Sequence, residues 1–149
     1  QVRLAALFET REPTEPSCAG LAANPPPDAA LEALDAANEA LANSGPDLEV
    51  FLEANFDFHV AVAKASHNEL LSGFMMALSK AIYSATANEG FITDEVRATA
   101  VRAHRTITAA IRAKDSDAAV RRMSRHVHSH AEAALASDLR HAIDVTDES

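Results

Sequence analysis

Tryptophan is absent from the 149 residues, tyrosine and cysteine occur once each, and there are four glycines. A lone cysteine, Cys18, cannot form an intrachain bridge, which excludes disulfide frameworks and cysteine-rich zinc modules and suits a reducing cytoplasm. The shortage of β-favouring aromatics and of turn glycines argues against an all-β architecture. Cations are also scarce: 13 Lys and Arg face 22 Asp and Glu, for a formal net charge of −9. That balance opposes capture of a phosphate backbone, so this chain alone is a poor nucleic-acid binder. No run approaches the ~18 apolar residues of a membrane span, and no secretory signal pattern opens the chain, so no membrane partner is expected.

What remains is a composition suited to a packed helical domain. Hydrophobic residues make up 48% and charged residues 23%, and alanine, the strongest helix former, supplies roughly a fifth of the chain. Turn signals fall at Pro25-Pro26-Pro27-Asp28, Asn43-Ser44-Gly45-Pro46-Asp47, Asn68, Gly90 with Thr93-Asp94-Glu95, and Asp115-Ser116-Asp117. Between them the pattern predicts helices near 2–12, 14–24, 28–43, 47–66, 69–87, 94–113 and 116–137, then a short C-terminal piece. Pro13 and Pro16 cannot both sit inside one undistorted helix, because each removes a backbone donor and clashes one turn back, so a kink is expected between the first two segments. Short connections between helices of this length favour antiparallel neighbours. The expected fold is all-α, an antiparallel bundle of six to seven helices. Gln1 opens directly onto helix-like sequence, which reads as a piece of a longer protein.

Seven histidines, at 59, 67, 104, 126, 128, 130 and 141, are the chemically informative residues. Phe51, Asn55, Phe58, His59 and Val62 follow the spacing of a buried helical stripe, so Asn55 and His59 share an inward face one turn apart. Ala100, His104, Ile107 and Ile111 form a second stripe, and Ala119, Met123, His126 and His130 a third. Three helices thus each offer a neutral imidazole, the commonest metal ligand. Convergence of His59, His104 and His126 with an oxygen from Asn55 would suit a borderline divalent ion, zinc or nickel. The same spacing also fits three separately satisfied core histidines. His130, one turn from His126, is a further ligand or a hydrogen-bonding neighbour of one. His128 points about 200° away from both and reads as solvated, while His67 and His141 read as surface or cap residues.

The segments Asn55-Phe56-Asp57-Phe58-His59, Ala65 to Leu71, His104 to Ile111, Asp115 to Ala119 and Met123 to His126 resemble the FCD effector-binding domain of GntR-type transcription regulators, the FadR subfamily. The opening segment, Phe8-Glu9-Thr10-Arg11 with Glu15-Pro16 and Leu21-Ala22-Ala23, is similar to that family too. The resemblance implies a helical bundle enclosing a metal and ligand pocket. It places a divalent ion on Asn55, His59, His104 and His126, and a ligand-reaching arginine at Arg11. It also implies a homodimer and a domain spanning 1–143; the polar end, 144–149, reads as a frayed tail. The partner would be a small carboxylate effector, and DNA would be bound only through a winged helix-turn-helix domain lying outside this chain.

One residue departs from the family pattern. Its usual ligand carboxylate is here the amide Asn55, and Asp57 lies about 200° around the helix from the site. An uncharged oxygen weakens the hold on a cation and leaves more positive charge to attract an acid. Among pocket carboxylates only Glu9 is a candidate, and it reads as solvated. Two other classes compete with a sensor. A metal-dependent hydrolase-like bundle lacks any His-Glu-x-x-His or Glu-x-x-His arrangement to supply a base, so no enzyme is expected. A structural or dimerisation module without metal would use the histidines as core filler. Met75, Ser79 and Tyr83 are candidate pocket residues whose direction periodicity leaves open.

Overall fold

Side-chain caps set most helix starts. Asp47 accepts from the Val50 amide at 3.1 Å, Asn68 from Leu71 at 2.9 Å, Thr93 from Val96 at 3.2 Å and Asp115 from Ala118 at 3.0 Å. Each satisfies a backbone donor that has no partner within its helix, which is worth about 1 kcal/mol. The second helix differs: Pro27 precedes it without a side-chain cap, and Asp28 sits in its first turn against the positive end of the helix dipole.

The computed structural model describes residues 3–87 and 92–147. It contains α1 (Leu4–Ala22), α2 (Asp28–Ala42), α3 (Leu48–Ala65), α4 (Glu69–Thr86), α5 (Asp94–Arg112) and α6 (Ser116–Asp147). Among the described residues there is no strand and no helix long and apolar enough to cross a membrane. Gly90, which the sequence marks as a break, lies outside the described residues.

Two helix assignments need correction. The segments expected at 2–12 and 14–24 are one helix, with Pro13 and Pro16 inside it. An interior proline costs about 3 kcal/mol or more, and here tertiary burial offsets it: Pro16, Cys18, Ala19 and Ala22 are all buried. The hydroxyls of Thr10, Thr14 and Ser17 add bonds to the carbonyls of Ala6, Thr10 and Pro13. The final helix, expected to end near 137, continues unbroken to Asp147 and takes in the first four residues of the segment read as a tail.

α1 is the central element, packing against α3, α4, α5 and α6. It runs antiparallel to α6, since Ser116 bonds the Gly20 carbonyl at 3.0 Å near one end while Arg11 meets His130 further along. The approach is tight at Gly20, where a Cβ would lie 2.6 Å from a Val120 methyl. α5 and α6 form an antiparallel hairpin, so residues around 104–107 face residues around 123–126. The core lies between these layers and includes Phe8, Leu34, Leu41, Phe58, Val62, Ile107, Ile111, Met123 and Val127. Cys18 is fully buried there; burial first, and the Glu15 charge second, push its thiol up to about 12, so it offers no thiolate at neutral pH.

Candidate metal and ligand site

Within this apolar core sits a cluster of buried polar side chains. α3 supplies His59, α5 supplies His104 and α6 supplies His126, with exposures of 3%, 0% and 9%. Each offers a ring nitrogen within 4.8 Å of the other two. His104 Nε2 lies 3.1 Å from His126 Nε2. Two nitrogens bonded to one zinc at about 2.0–2.1 Å would be separated by roughly 2.9–3.4 Å, so this pair is spaced as two ligands of one ion are. The Phe58 ring stacks on His104 at 3.8 Å between centroids and holds its plane. His104 Nδ1 is buried without a hydrogen-bond partner among the described residues, so its ring is held by stacking and by the contact at Nε2.

All three rings are neutral at physiological pH. Burial lowers each, and for His104 and His126 protonation is opposed further because a second charged imidazole in the cluster, or the Arg11 guanidinium, would repel it. At His59 burial dominates over the opposing pull of the Glu15 carboxylate. Neutral imidazole is the form that donates a lone pair to a metal, so the donor set fits a divalent ion.

A carboxylate that the sequence reading missed completes the cluster. Glu9, the carboxylate considered there, is exposed. Glu15 is 1% exposed, bonds His59 Nδ1 through one oxygen, and meets Arg11 Nε at 2.5 Å through the other. Burial alone would raise its pKa, but Arg11 and His59 outweigh that and hold it well below the usual carboxylate range. A carboxylate on Nδ1 is the contact that orients metal-bound histidines; it leaves Nε2 as the ligand atom, which in this structure is met by Arg11. The signal was present in the sequence: Phe8, Arg11, Glu15, Cys18 and Ala22 form a single helical stripe, which the break assumed at Pro13 cut in two.

Arg11 reaches further than expected. Its guanidinium lies 2.9 Å from His59 Nε2 and 2.6 Å from His130 Nδ1, so the structure joins His130 to Arg11. Burial and the Arg11 charge keep His130 neutral as well. His128 is exposed and faces Glu12 at 3.2 Å, and His67 bonds the Pro25 carbonyl on the surface. The side chain of His141 lies outside the described residues.

Two cavities adjoin the cluster. A space of about 20 Å³, enough for one water-sized occupant, is bordered by Arg11, Asn55, His59, Ser79 and Tyr83. Met75, in contrast, packs into the core. A larger cavity of about 300 Å³ is lined in part by Asn55, His126 and His130. Phe51, Ile92, Val96 and Ala100 form apolar walls, and Thr86, Glu95, Thr99 and Ser129 supply polar groups. Asn55 therefore borders both spaces, beside His59 in one and His126 in the other.

Comparison with known proteins gives a consistent picture. The family model of the FCD domain matches residues 6–129. The galactonate operon transcriptional repressor of Escherichia coli (strain K12) is 32% identical over 118 residues, covering 78% of this chain and 51% of that protein. A Streptococcus agalactiae GntR structure superimposes with a TM-score of 0.75 at 27% identity, over 87% of this chain and 58% of the other. The chain thus spans about half the length of the curated relative it matches.

Proposed function

This chain belongs to the FCD domain family of GntR-type regulators, and on that premise we propose that it senses a small organic acid at a divalent-metal site and passes the signal to an attached DNA-binding domain. The observation that carries this reading is the convergence of His59, His104 and His126 beside a cavity of about 300 Å³, a size suited to a small molecule. Zinc or nickel suits three neutral imidazoles with one amide oxygen, that of Asn55, and such an ion would supply a fixed positive charge for a carboxylate. The remaining work falls to the chain's own groups. Arg11 offers a planar fork for the same carboxylate, Glu15 orients His59, and His130 steadies Arg11.

The E. coli relative is named for the galactonate operon. Thr86, Thr99, Ser129 and Glu95 on the cavity wall provide partners for a hydroxylated acid of that kind. Pairing of two copies would use exposed apolar side chains such as Leu70 and Phe74 on α4 or Leu139 and Ile143 on α6. Differential affinity of the acid for two bundle arrangements would bias the orientation of the attached domains, in a cytoplasmic regulator.

A metal-free structural module is the second reading. It is favoured by the direct His104–His126 contact, which partly satisfies both rings. Isothermal titration of metal-stripped protein with zinc and nickel, without and with galactonate, decides between them. One ion per chain, followed by acid binding to the loaded form, is expected. No uptake of either ion above pH 7 would sink the sensor reading.

A further inference from the structure

We propose that the Arg11 charge opposes uptake of a cation at the imidazole cluster and that an entering anion relieves this opposition, so that ion and acid each tighten the binding of the other. The proposal rests on the reading that His59, His104 and His126 hold a divalent ion. Arg11 is 3% exposed and permanently charged. It is held on three sides, by Glu15 on its own helix, by His59 on α3 and by His130 on α6. An ion bonded to His59 Nε2 at about 2.1 Å lies no more than about 5 Å from Arg11 Nη2, because that guanidinium nitrogen is itself 2.9 Å from Nε2. Two positive charges at that separation, away from bulk water, repel strongly.

The cluster holds too little negative charge to absorb this. Among the described residues Glu15 is the carboxylate in contact with the cluster, and it is shared between Arg11 and His59. Asn55, which borders the small cavity together with Arg11 and His59, contributes no charge. Arg11 and Glu15 cancel, so an incoming dication leaves a buried surplus of two positive charges. A carboxylate entering beside Arg11 and Asn55 removes half of that surplus and gives the guanidinium fork a partner other than the imidazoles. Linkage then requires that the acid tighten ion binding and the ion tighten acid binding by the same factor, on the order of tenfold.

The test is zinc titration of metal-stripped wild type, Arg11→Gln and Arg11→Lys, each first alone and then with galactonate, with helix content checked by circular dichroism. Arg11→Gln is expected to bind zinc alone about tenfold tighter than wild type and to lose the enhancement by acid. Arg11→Lys, which keeps the charge but not the fork, stays several-fold weaker than Arg11→Gln. Should Arg11→Gln misfold, Arg11→Met serves as the neutral variant. Wild type that binds zinc while the neutral variant binds no tighter overturns the coupling and leaves the sensor reading standing. An equal gain in Arg11→Lys also overturns it, since charge would then not be the cause. Failure of every form to take up zinc or nickel overturns both.

Discussion

Helices α3, α5 and α6 each contribute to two adjoining regions of the core, one turn apart. In one region Val62, Ile107 and Met123 are fully buried apolar side chains. In the other, His59, His104 and His126 occupy the neighbouring turns at nearly the same burial, with Arg11 and Glu15 brought against them by α1. The apolar region gains free energy simply by leaving water. The polar region loses hydration and regains it only through a closed set of contacts, and one atom, His104 Nδ1, remains unpartnered. Similar burial therefore has opposite meanings: the first region gains stability by being dry, and the second must recover lost hydration through its contacts.

Paired substitutions should break this comparison most sharply. His104→Ala is expected to lower zinc affinity at least about a hundredfold, more than the loss of an orienting neighbour costs. Ile107→Ala, one turn along α5, should cost about 2–5 kcal/mol of stability in urea denaturation while keeping one ion per chain. Full zinc affinity in the histidine variant, or lost stoichiometry in the isoleucine variant, would show that the two regions are not separable in this way.

Acidification comes next in size. His59, His104, His126 and His130 all have folded-state pKa values lowered, chiefly by burial. The unfolded chain therefore binds more protons than the folded one once pH drops below about 6.5, and stability must fall as pH falls through that range, by up to about 1.4 kcal/mol per imidazole per unit. Urea midpoints of metal-free protein at pH 7.5 and 5.5 should show the loss. Ile107→Ala should retain the same acid dependence and His130→Ala should have a shallower one; a flat profile in the unaltered protein would contradict neutral buried rings.

The smallest expected effect sharpens the role of the amide. Asn55→Asp restores the carboxylate of the family pattern and should raise zinc affinity on the order of tenfold, since ligand charge tunes cation binding. A competition titration against a chelator of known affinity measures it, and an unchanged affinity would remove Asn55 from the ligand set.

Periodicity carried the reading far where it ran uninterrupted. The stripes through His59, His104 and His126 identified three inward imidazoles because each lies inside a helix whose start is marked by a local cap, at Asp47, Thr93 and Asp115. Glu15 escaped because local rules break a helix at Pro13, and the break divided the stripe that exposes it. The bond between His130 and Arg11 was equally out of reach, because 119 residues separate the two in sequence.

By itself, then, the sequence determined an all-helical chain, the faces that turn inward, and the histidines that share those faces, because helix propensity, capping and a 3.6-residue period act over a few neighbouring residues. The tertiary structure alone decided that α1 continues as one helix through two prolines, that its Arg11 and Glu15 close on His59, and that three rings from separate helices come within 4.8 Å. Those outcomes depend on burial energy summed across distant segments, which outweighs local preference and which no window of adjacent residues contains.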